Sequence, residues 1–376
     1  MNVLEEFSKA VQLPNSWINE WKDEGKKVLG YFCSYIPEEI IYAAGILPIR
    51  IRAWGCTESP MGDAYMSDTT CSFTRCCLEM AHKKQFDYLD GIISCNSCDQ
   101  IRRLYDNLRF KAPSPFQYFI NLPSNVNEIT IDWFEHELYK FKEKLEEFYS
   151  VKITNQKLKD TIAIYNESRK FLKIIYKSRN RSAPAINGTE ILNTIIAATS
   201  IPRDTYNNLL SKLITEIKDK ERHANYRARV MLIGSDLDDP EYIKIIEDLG
   251  GIVVTDFLCF GSRYFWDLVD EKADTADPMN SLAKRYLSKI SCPRMAGKHK
   301  SRVEFIKNLI KGSYVDGVIL QRIKFCPFWW GENFMLFREL KKLGVPCLNL
   351  EREYMLSGVG AMKTRIQAFL EALEVE

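Results

Sequence analysis

One unit occurs twice in this chain and constrains its fold more than any other feature. Tyr88-Leu-Asp-Gly-Ile-Ile-Ser-Cys-Asn-Ser-Cys98 and Tyr314-Val-Asp-Gly-Val-Ile-Leu-Gln-Arg-Ile-Lys-Phe-Cys326 share Tyr-x-Asp-Gly, then an apolar run, then a cysteine. The run Gly317 to Leu320 is short, partly β-branched and uninterrupted, as expected of a parallel strand buried on both faces. Glu332 to Leu343 carries apolar residues at helical spacing, and Gly344 and Pro346 supply the stop. Ile101 to Leu108 and Phe116 to Ile120 give the helix and the next strand of the first copy. Cys98 and Cys326 therefore stand beyond the carboxyl ends of strands, in the crevice where open α/β sheets hold their ligands. Two copies are too few for a solenoid; they predict two related α/β lobes, each offering a thiol at a strand end.

The rest of the chain fits around that pair. Residues up to about Lys27 read as helical, with Trp17 and Trp21 on one face. Val28 to Tyr35 reads as a strand, Pro37 opens a helix, Gly45 ends it, and Ile46 to Ile51 is the next strand. From about Thr130 to Arg222, Phe134, Leu138, Phe141, Leu145 and Phe148 form one helical stripe, and Ile162, Tyr165, Arg169, Leu172 and Tyr176 another. Arg227 to Leu232 then restarts the strand pattern. Gly250-Gly-Ile-Val-Val echoes Ala44-Gly-Ile-Leu-Pro-Ile, each followed by a cysteine, Cys259 and Cys56. The expectation is an α/β protein of two Rossmann-like parallel-sheet lobes with a helical insertion between them: 1–128, 129–225 and 226–376. The turn at Gly234 lacks the glycine fingerprint of a dinucleotide fold, which argues against NAD.

A net charge of +2 gives no electrostatic reason to invoke nucleic acid or a membrane surface. The apolar runs are too short to span a bilayer, and the amino terminus lacks the pattern of a signal peptide, so a cytoplasmic protein is expected. In that compartment eleven cysteines are not a disulfide framework. Cys33, Cys56 and Cys347 lie in apolar runs and read as small buried hydrophobes. Cys71, Cys76, Cys77, Cys95, Cys98, Cys259, Cys292 and Cys326 lie near loops, where ligation competes. Only Cys95-Asn-Ser-Cys98 has the close spacing of a zinc pair, and no ferredoxin run is present. What remains is a thiolate site assembled from distant segments, suited to an iron–sulfur cluster or zinc. His82, His136, His223 and His299 read as surface residues without a nucleophile partner.

Several segments also carry a family resemblance. Gly30-Tyr-Phe-Cys-Ser-Tyr-Ile-Pro-Glu-Glu-Ile-Ile-Tyr-Ala-Ala-Gly-Ile-Leu-Pro48 resembles the amino-terminal signature of the 2-hydroxyacyl-CoA dehydratase and benzoyl-CoA reductase family, in the manner of its D-component. Thr70-Cys-Ser-Phe-Thr-Arg-Cys-Cys-Leu-Glu79, Cys98-Asp-Gln-Ile-Arg-Arg-Leu-Tyr105, Gly261-Ser-Arg-Tyr-Phe265, Lys324-Phe-Cys326 and Thr364-Arg-Ile-Gln-Ala-Phe-Leu370 match in the same order. The resemblance implies a [4Fe–4S] cluster between the lobes, held by Cys71, Cys98 and Cys326. It implies a homologous second subunit in a heterodimer and an ATP-dependent iron–sulfur activator protein that delivers a low-potential electron. The reaction would be radical dehydration or reduction of an acyl-CoA substrate. Pro327 after Cys326 and Gly360-Ala361 depart from the common pattern. Cys259 and Cys292 echo positions of the double-cubane reductases of the superfamily, although the further cysteine expected near Gln85-Phe86 is absent.

Candidate roles follow. Phe325, Phe328, Trp329 and Trp330 are expected to wall a substrate pocket around Cys326, with Ser34, Tyr35 and Glu39 facing them. Ser34 and Glu39 are the catalytic candidates, and Trp329, Trp330 and Arg263 the substrate-binding ones, Arg263 as a bidentate phosphate donor. Glu38 and Glu39 also suit a helix start for dipole reasons alone. Two roles stay open: a subunit that turns over substrate, and an electron-relay or scaffolding subunit whose cluster never meets it.

Overall fold

The duplicated unit folds into two parallel four-stranded sheets of identical connectivity. The computed structural model describes residues 2–218, 222–271, 277–295 and 297–374. Val3–Lys9 (α1) and Ser16–Asp23 (α2) lead into Val28–Tyr31 (β1), Glu38–Ala43 (α3), Leu47–Arg50 (β2), Pro60–Tyr65 (α4), Ser72–His82 (α5), Gly91–Cys95 (β3), Asp99–Lys111 (α6) and Phe116–Ile120 (β4). Four helices follow: Glu128–Tyr149 (α7), Asn155–Ser178 (α8), Gly188–Ala197 (α9) and Arg203–Ile217 (α10). The second lobe contains Ala228–Gly234 (β5), Pro240–Asp248 (α11), Gly251–Phe257 (β6), Ser262–Phe265 (α12), Pro278–Ser288 (α13), His299–Gly312 (α14), Gly317–Ile323 (β7), Pro327–Lys342 (α15), Cys347–Arg352 (β8) and Val359–Leu373 (α16). The sheet orders are β2-β1-β3-β4 and β6-β5-β7-β8, all parallel. This is the expected α/β fold with two Rossmann-like lobes.

The repeated Asp-Gly has the same task in both lobes. The Asp90 carboxylate accepts from Val28 N at 2.9 Å while Asp90 N donates to Val28 O at 2.7 Å. Asp316 does the same to Arg229, at 2.7 and 2.8 Å. Each aspartate thus fixes the register at which its strand meets the neighbouring one, where an unpaired buried backbone group would be costly. The glycine that follows begins the strand with no room for a side chain: a Cβ on Gly91 would lie 2.7 Å from Phe116 Cβ, and one on Gly317 2.7 Å from Leu373 Cδ1.

The amino-terminal helical segment is split, contrary to expectation, because Asn15 caps a new helix by accepting from Ile18 N at 3.0 Å. Ile18 is then the fully buried residue, while Trp17 and Trp21 are only partly covered. Packing also crosses the sequence blocks. Val3, Leu4 and Phe7 of α1 join the core made by α8, α9, α10 and the β5–β6 side of the second sheet. Met279, Leu282 and Tyr286 of α13 join the first lobe's core together with Phe134, Leu138, Phe141 and Leu145 of α7, while Phe148 stays half-exposed. The helices between the lobes therefore clasp both of them.

At Gly234, the last residue of β5, φ is +154° and a Cβ would come 1.8 Å from the Gln321 carbonyl oxygen. Gly45 has φ +75° but open space around it. Gly45→Ala is expected to cost only the left-handed penalty of about 1–2 kcal/mol, whereas Gly234→Ala must also displace the backbone of β7 and should cost about 3 kcal/mol or more. Urea unfolding of the two variants side by side checks the difference; equal losses would mean that β7 yields freely.

Candidate functional site

The two sheets turn their carboxyl ends toward one cavity of about 830 Å³, mouth included. Cys33, Ser34 and Tyr35 follow β1, Arg50 ends β2, and Ser97 and Cys98 follow β3. From the other lobe come Ser235 and Asp236 after β5, Cys259 and Arg263 after β6, and Cys326, Phe328 and Trp329 after β7. Cys71, Phe73, Thr74, Ile101, Cys292 and Ile323 complete the wall. Six of the eleven cysteines meet here: Cys33, Cys71, Cys98, Cys259, Cys292 and Cys326.

Three of these thiols share one local structure. Cys71 is the N-cap residue of α5, Cys98 of α6 and Cys326 of α15. Each is held in extended backbone at the point where a helix begins, so unpaired N–H groups and the positive end of the dipole lie beside the sulfur. The Cys98 sulfur itself accepts from Ile101 N at 3.4 Å, and Cys71 Sγ is 3.6 Å from Thr74 Oγ1. Such a setting favours thiolate over thiol. Burial opposes it: desolvation pushes all three thiols up, Cys326 to about 12 and Cys98 well above its ordinary value. A thiolate at these positions needs a cation beside it, which a coordinated metal supplies outright. Among the described residues no three His, Cys, Asp or Glu side chains close on one point tightly enough for a single metal ion. The thiols ring a space instead, an arrangement suited to a polynuclear group.

Of the other candidates, Ser34, Arg263 and Trp329 line the cavity together with Tyr35 and Phe328. Trp330 does not. It sits on the outer side of α15 and is 65% exposed, because a one-residue step on a helix turns the side chain by about 100°. Phe325, also expected as a wall, is 37% exposed at a φ of +63°. Glu39 is fully buried away from the cavity: Arg169 donates to Oε1 and Tyr286 OH to Oε2, the latter at 2.7 Å. Its neighbour Glu38 is paired with Arg203 at 2.7 Å and accepts from Tyr264 at 2.9 Å. These carboxylates hold elements together, so the geometry gives Glu39 a structural task, and a surface dipole effect does not explain either residue.

The sequence reading missed Cys33, taken as a plain buried hydrophobe. It lines the cavity at φ +79° and takes a hydrogen bond from the Cys95 thiol, which draws its own titration down while Cys95 rises. The strand expected from Val28 to Tyr35 ran through it, whereas β1 ends at Tyr31 and Cys33 falls in the turn beyond. Arg50, on the cavity wall with Nη2 3.0 Å from Cys259 Sγ, was missed as well, hidden at the end of an apolar strand. His299, read as a surface residue, is half-buried and lies 3.0 Å from the buried Glu332, which is also bonded by Arg302. His223 lies 3.2 Å from Glu190. No described helix is long and apolar enough to cross a membrane.

The sequence also resembles known proteins. The sequence model of the family described as 2-hydroxyglutaryl-CoA dehydratase, D-component, matches residues 33–373. A benzoyl-CoA reductase subunit of Thauera aromatica is 28% identical over 88% of this chain and 87% of its own length. The beta subunit of (R)-2-hydroxyglutaryl-CoA dehydratase of Acidaminococcus fermentans is 27% identical over 99% of both chains. The (R)-phenyllactyl-CoA dehydratase beta subunit of Clostridium sporogenes is 26% identical over 98% of both.

Burial alone would raise the Glu39 carboxyl, but Arg169, Arg285 and the bond from Tyr286 together hold it below the usual carboxylate range. A lowered folded value means that the contribution is complete above about pH 4.3 and fades as pH falls through the folded value. Glu39→Gln is therefore expected to destabilise the chain by about 3–5 kcal/mol at pH 7 by stranding Arg169. The gap from the parent should narrow only below about pH 4. Thermal melts across pH check this; an unchanged melt with lost turnover would instead make Glu39 catalytic.

Proposed function

Since the chain belongs to the 2-hydroxyglutaryl-CoA dehydratase D-component family, we propose that it is the cluster-bearing subunit of an acyl-CoA dehydratase or aryl-CoA reductase. Cys71, Cys98 and Cys326 would hold a [4Fe–4S] cluster. The observation that carries this reading is that three soft donors from three distant segments each cap a helix at the rim of one cavity. These three residues would be its protein ligands, and a bound cluster would supply one-electron transfer to a nearby thioester. The low-potential electron is expected from an ATP-dependent iron–sulfur activator protein. Dehydration returns that electron after loss of water from a 2-hydroxyacyl group, whereas ring reduction consumes two electrons and two protons.

The chain's own residues would bind and orient the substrate. Phe73, Ile101, Phe328 and Trp329 offer an apolar wall for an acyl or aryl group, and water exclusion strengthens every polar contact made there. The Ser34 hydroxyl is the candidate donor to the thioester carbonyl. An open-mouthed cavity with an apolar wall beside the thiols favours the substrate-handling role over a relay or scaffold, which needs no such wall. The relatives are themselves named as single subunits of larger enzymes, which implies a second subunit, and we assign that place to a homologous chain.

A double-cubane group is the second reading, favoured by one observation: Cys33, Cys259 and Cys292 line the same cavity as the three capping cysteines. Iron analysis of anaerobically prepared protein separates the two. The first reading expects about four iron atoms per chain, lost in Cys71→Ser, Cys98→Ser or Cys326→Ser but retained when Cys259 or Cys292 is replaced. The second expects about twice that content and loss in either set. Stoichiometric zinc without iron would sink both.

A further inference from the structure

Charge at the cavity does not balance. Its lining includes two cations, Arg50 and Arg263, and one carboxylate, Asp236. Asp236 is already engaged: Arg50 Nη2 lies 3.2 Å from Oδ1, and Cys259 Sγ lies 2.9 Å from the same oxygen. Arg263 is 4% exposed and has no carboxylate partner among the described residues. Its Nη2 donates to Gly234 O at 3.3 Å, its Nε has no partner at all, and its guanidinium lies 5.1 and 5.0 Å from the Phe257 and Trp329 rings. The titratable groups that bear on it are the thiols of Cys292 and Cys259 and the Tyr35 hydroxyl.

Lys289 repeats the situation one layer back. It is 4% exposed, donates to the carbonyl of Ser34 and stands 4.7 Å from the centre of the Tyr35 ring. No ion pair to it occurs among the described residues, and its charged neighbours include Arg285, Arg263 and Arg50. A buried cation without a counter-ion is strongly unfavourable. Arg263, whose guanidinium stays protonated, is such a cation, whereas burial and the arginines around it draw Lys289 well below the ordinary lysine range; negative charge in front of this wall would serve both.

We infer that Arg50, Arg263 and Lys289 are the counter-charge for an anionic metal–thiolate group seated among Cys33, Cys71, Cys98, Cys259, Cys292 and Cys326. The inference rests on the cluster reading above and adds a task for three residues outside the ligand set. They act on the group through its charge: they favour its retention, and they ease the arrival of an additional electron by raising its reduction potential. They are positioning residues with an electrostatic effect, and they leave the chemistry to the site they face.

The sign of the effect on stability gives a test that a merely structural arginine would not pass. In the metal-free chain Arg263→Gln removes an uncompensated charge, so its melting temperature should rise above that of the parent. In the iron-loaded chain the same variant should lose iron faster to a chelator. At a fixed potential it should show at least a tenfold lower ratio of reduced to oxidised cluster, equivalent to 59 mV or more for one electron. Arg263→Lys, which keeps the charge, should recover most of that shift. Lys289→Met should likewise speed iron loss and lower the potential in the loaded chain, with little change in the metal-free melting temperature, and its potential carries the test if Arg263→Gln does not accumulate. Lower melting temperatures in both the metal-free and loaded forms, or an unchanged potential, would overturn the inference. If the parent chain holds no iron, the cluster reading fails first; a rise in the metal-free melting temperature would still show the uncompensated charge, and its absence would show that the wall needs no anion.

Discussion

Two adjacent carboxylates, Glu38 and Glu39 at the start of α3, tie the molecule together. Glu38 meets Arg203 of α10 and Tyr264 of α12, and Glu39 meets Arg169 of α8 and Tyr286 of α13. A single turn of the first lobe is thereby bonded to two helices of the insertion and two of the second lobe. Bringing such pairs out of water is expensive, and their net effect on stability against an apolar substitute is small. Their value lies in direction: an apolar contact tolerates sliding, whereas a carboxylate with both oxygens engaged fixes how the lobes face each other. The cavity is the space left between lobes so fixed.

Within that frame the placement of the thiols follows from topology. Parallel strands end on one edge of a sheet, and the chain must turn there into a helix. The residue at the turn is an N-cap, whose side chain lies near free N–H groups. Cys98 after β3 and Cys326 after β7 occupy corresponding positions of the duplicated unit. The opposing influences on them, helix ends favouring charge and burial disfavouring it, leave thiols that burial pushes up and that a cation beside them would ionise.

Much of this was legible in the sequence for identifiable reasons. Buried parallel strands are continuous apolar runs, so β3 and β7 could be read directly, and Asp-Gly marked the entry to both. The cysteines nearest the strand ends pointed to the site for the same reason. Less legible was anything that depends on which way a side chain faces across elements. Trp329 and Trp330 are adjacent in sequence, yet one lines the cavity and the other faces outward. Glu39 looked like either a catalytic carboxylate or a dipole partner, because Arg169 and Tyr286 are 130 and 247 residues away in sequence. Cys33 was lost among apolar neighbours because a thiol facing a cavity and a thiol filling a core have the same sequence context.

Duplication accounts for the cavity's shape, and departure from it accounts for the cavity's polarity. β2 ends on Arg50, whereas the corresponding β6 ends near Asp256, whose carboxylate turns inward to accept from Tyr176, Leu258 N and Ser262 N. The first lobe thus presents a cation where the second spends its carboxylate on its own loop. That loop in turn carries Arg263 to the wall. The segment after β2 leads to Cys71, and the longer segment after β6 carries both Cys259 and Cys292. Symmetric strand ends thus receive unequal loops, and Arg50 of one lobe and Arg263 of the other gather beside Cys259. A duplicated fold that kept its two halves alike would offer an anion no reason to prefer either side; here the unequal loops give it one.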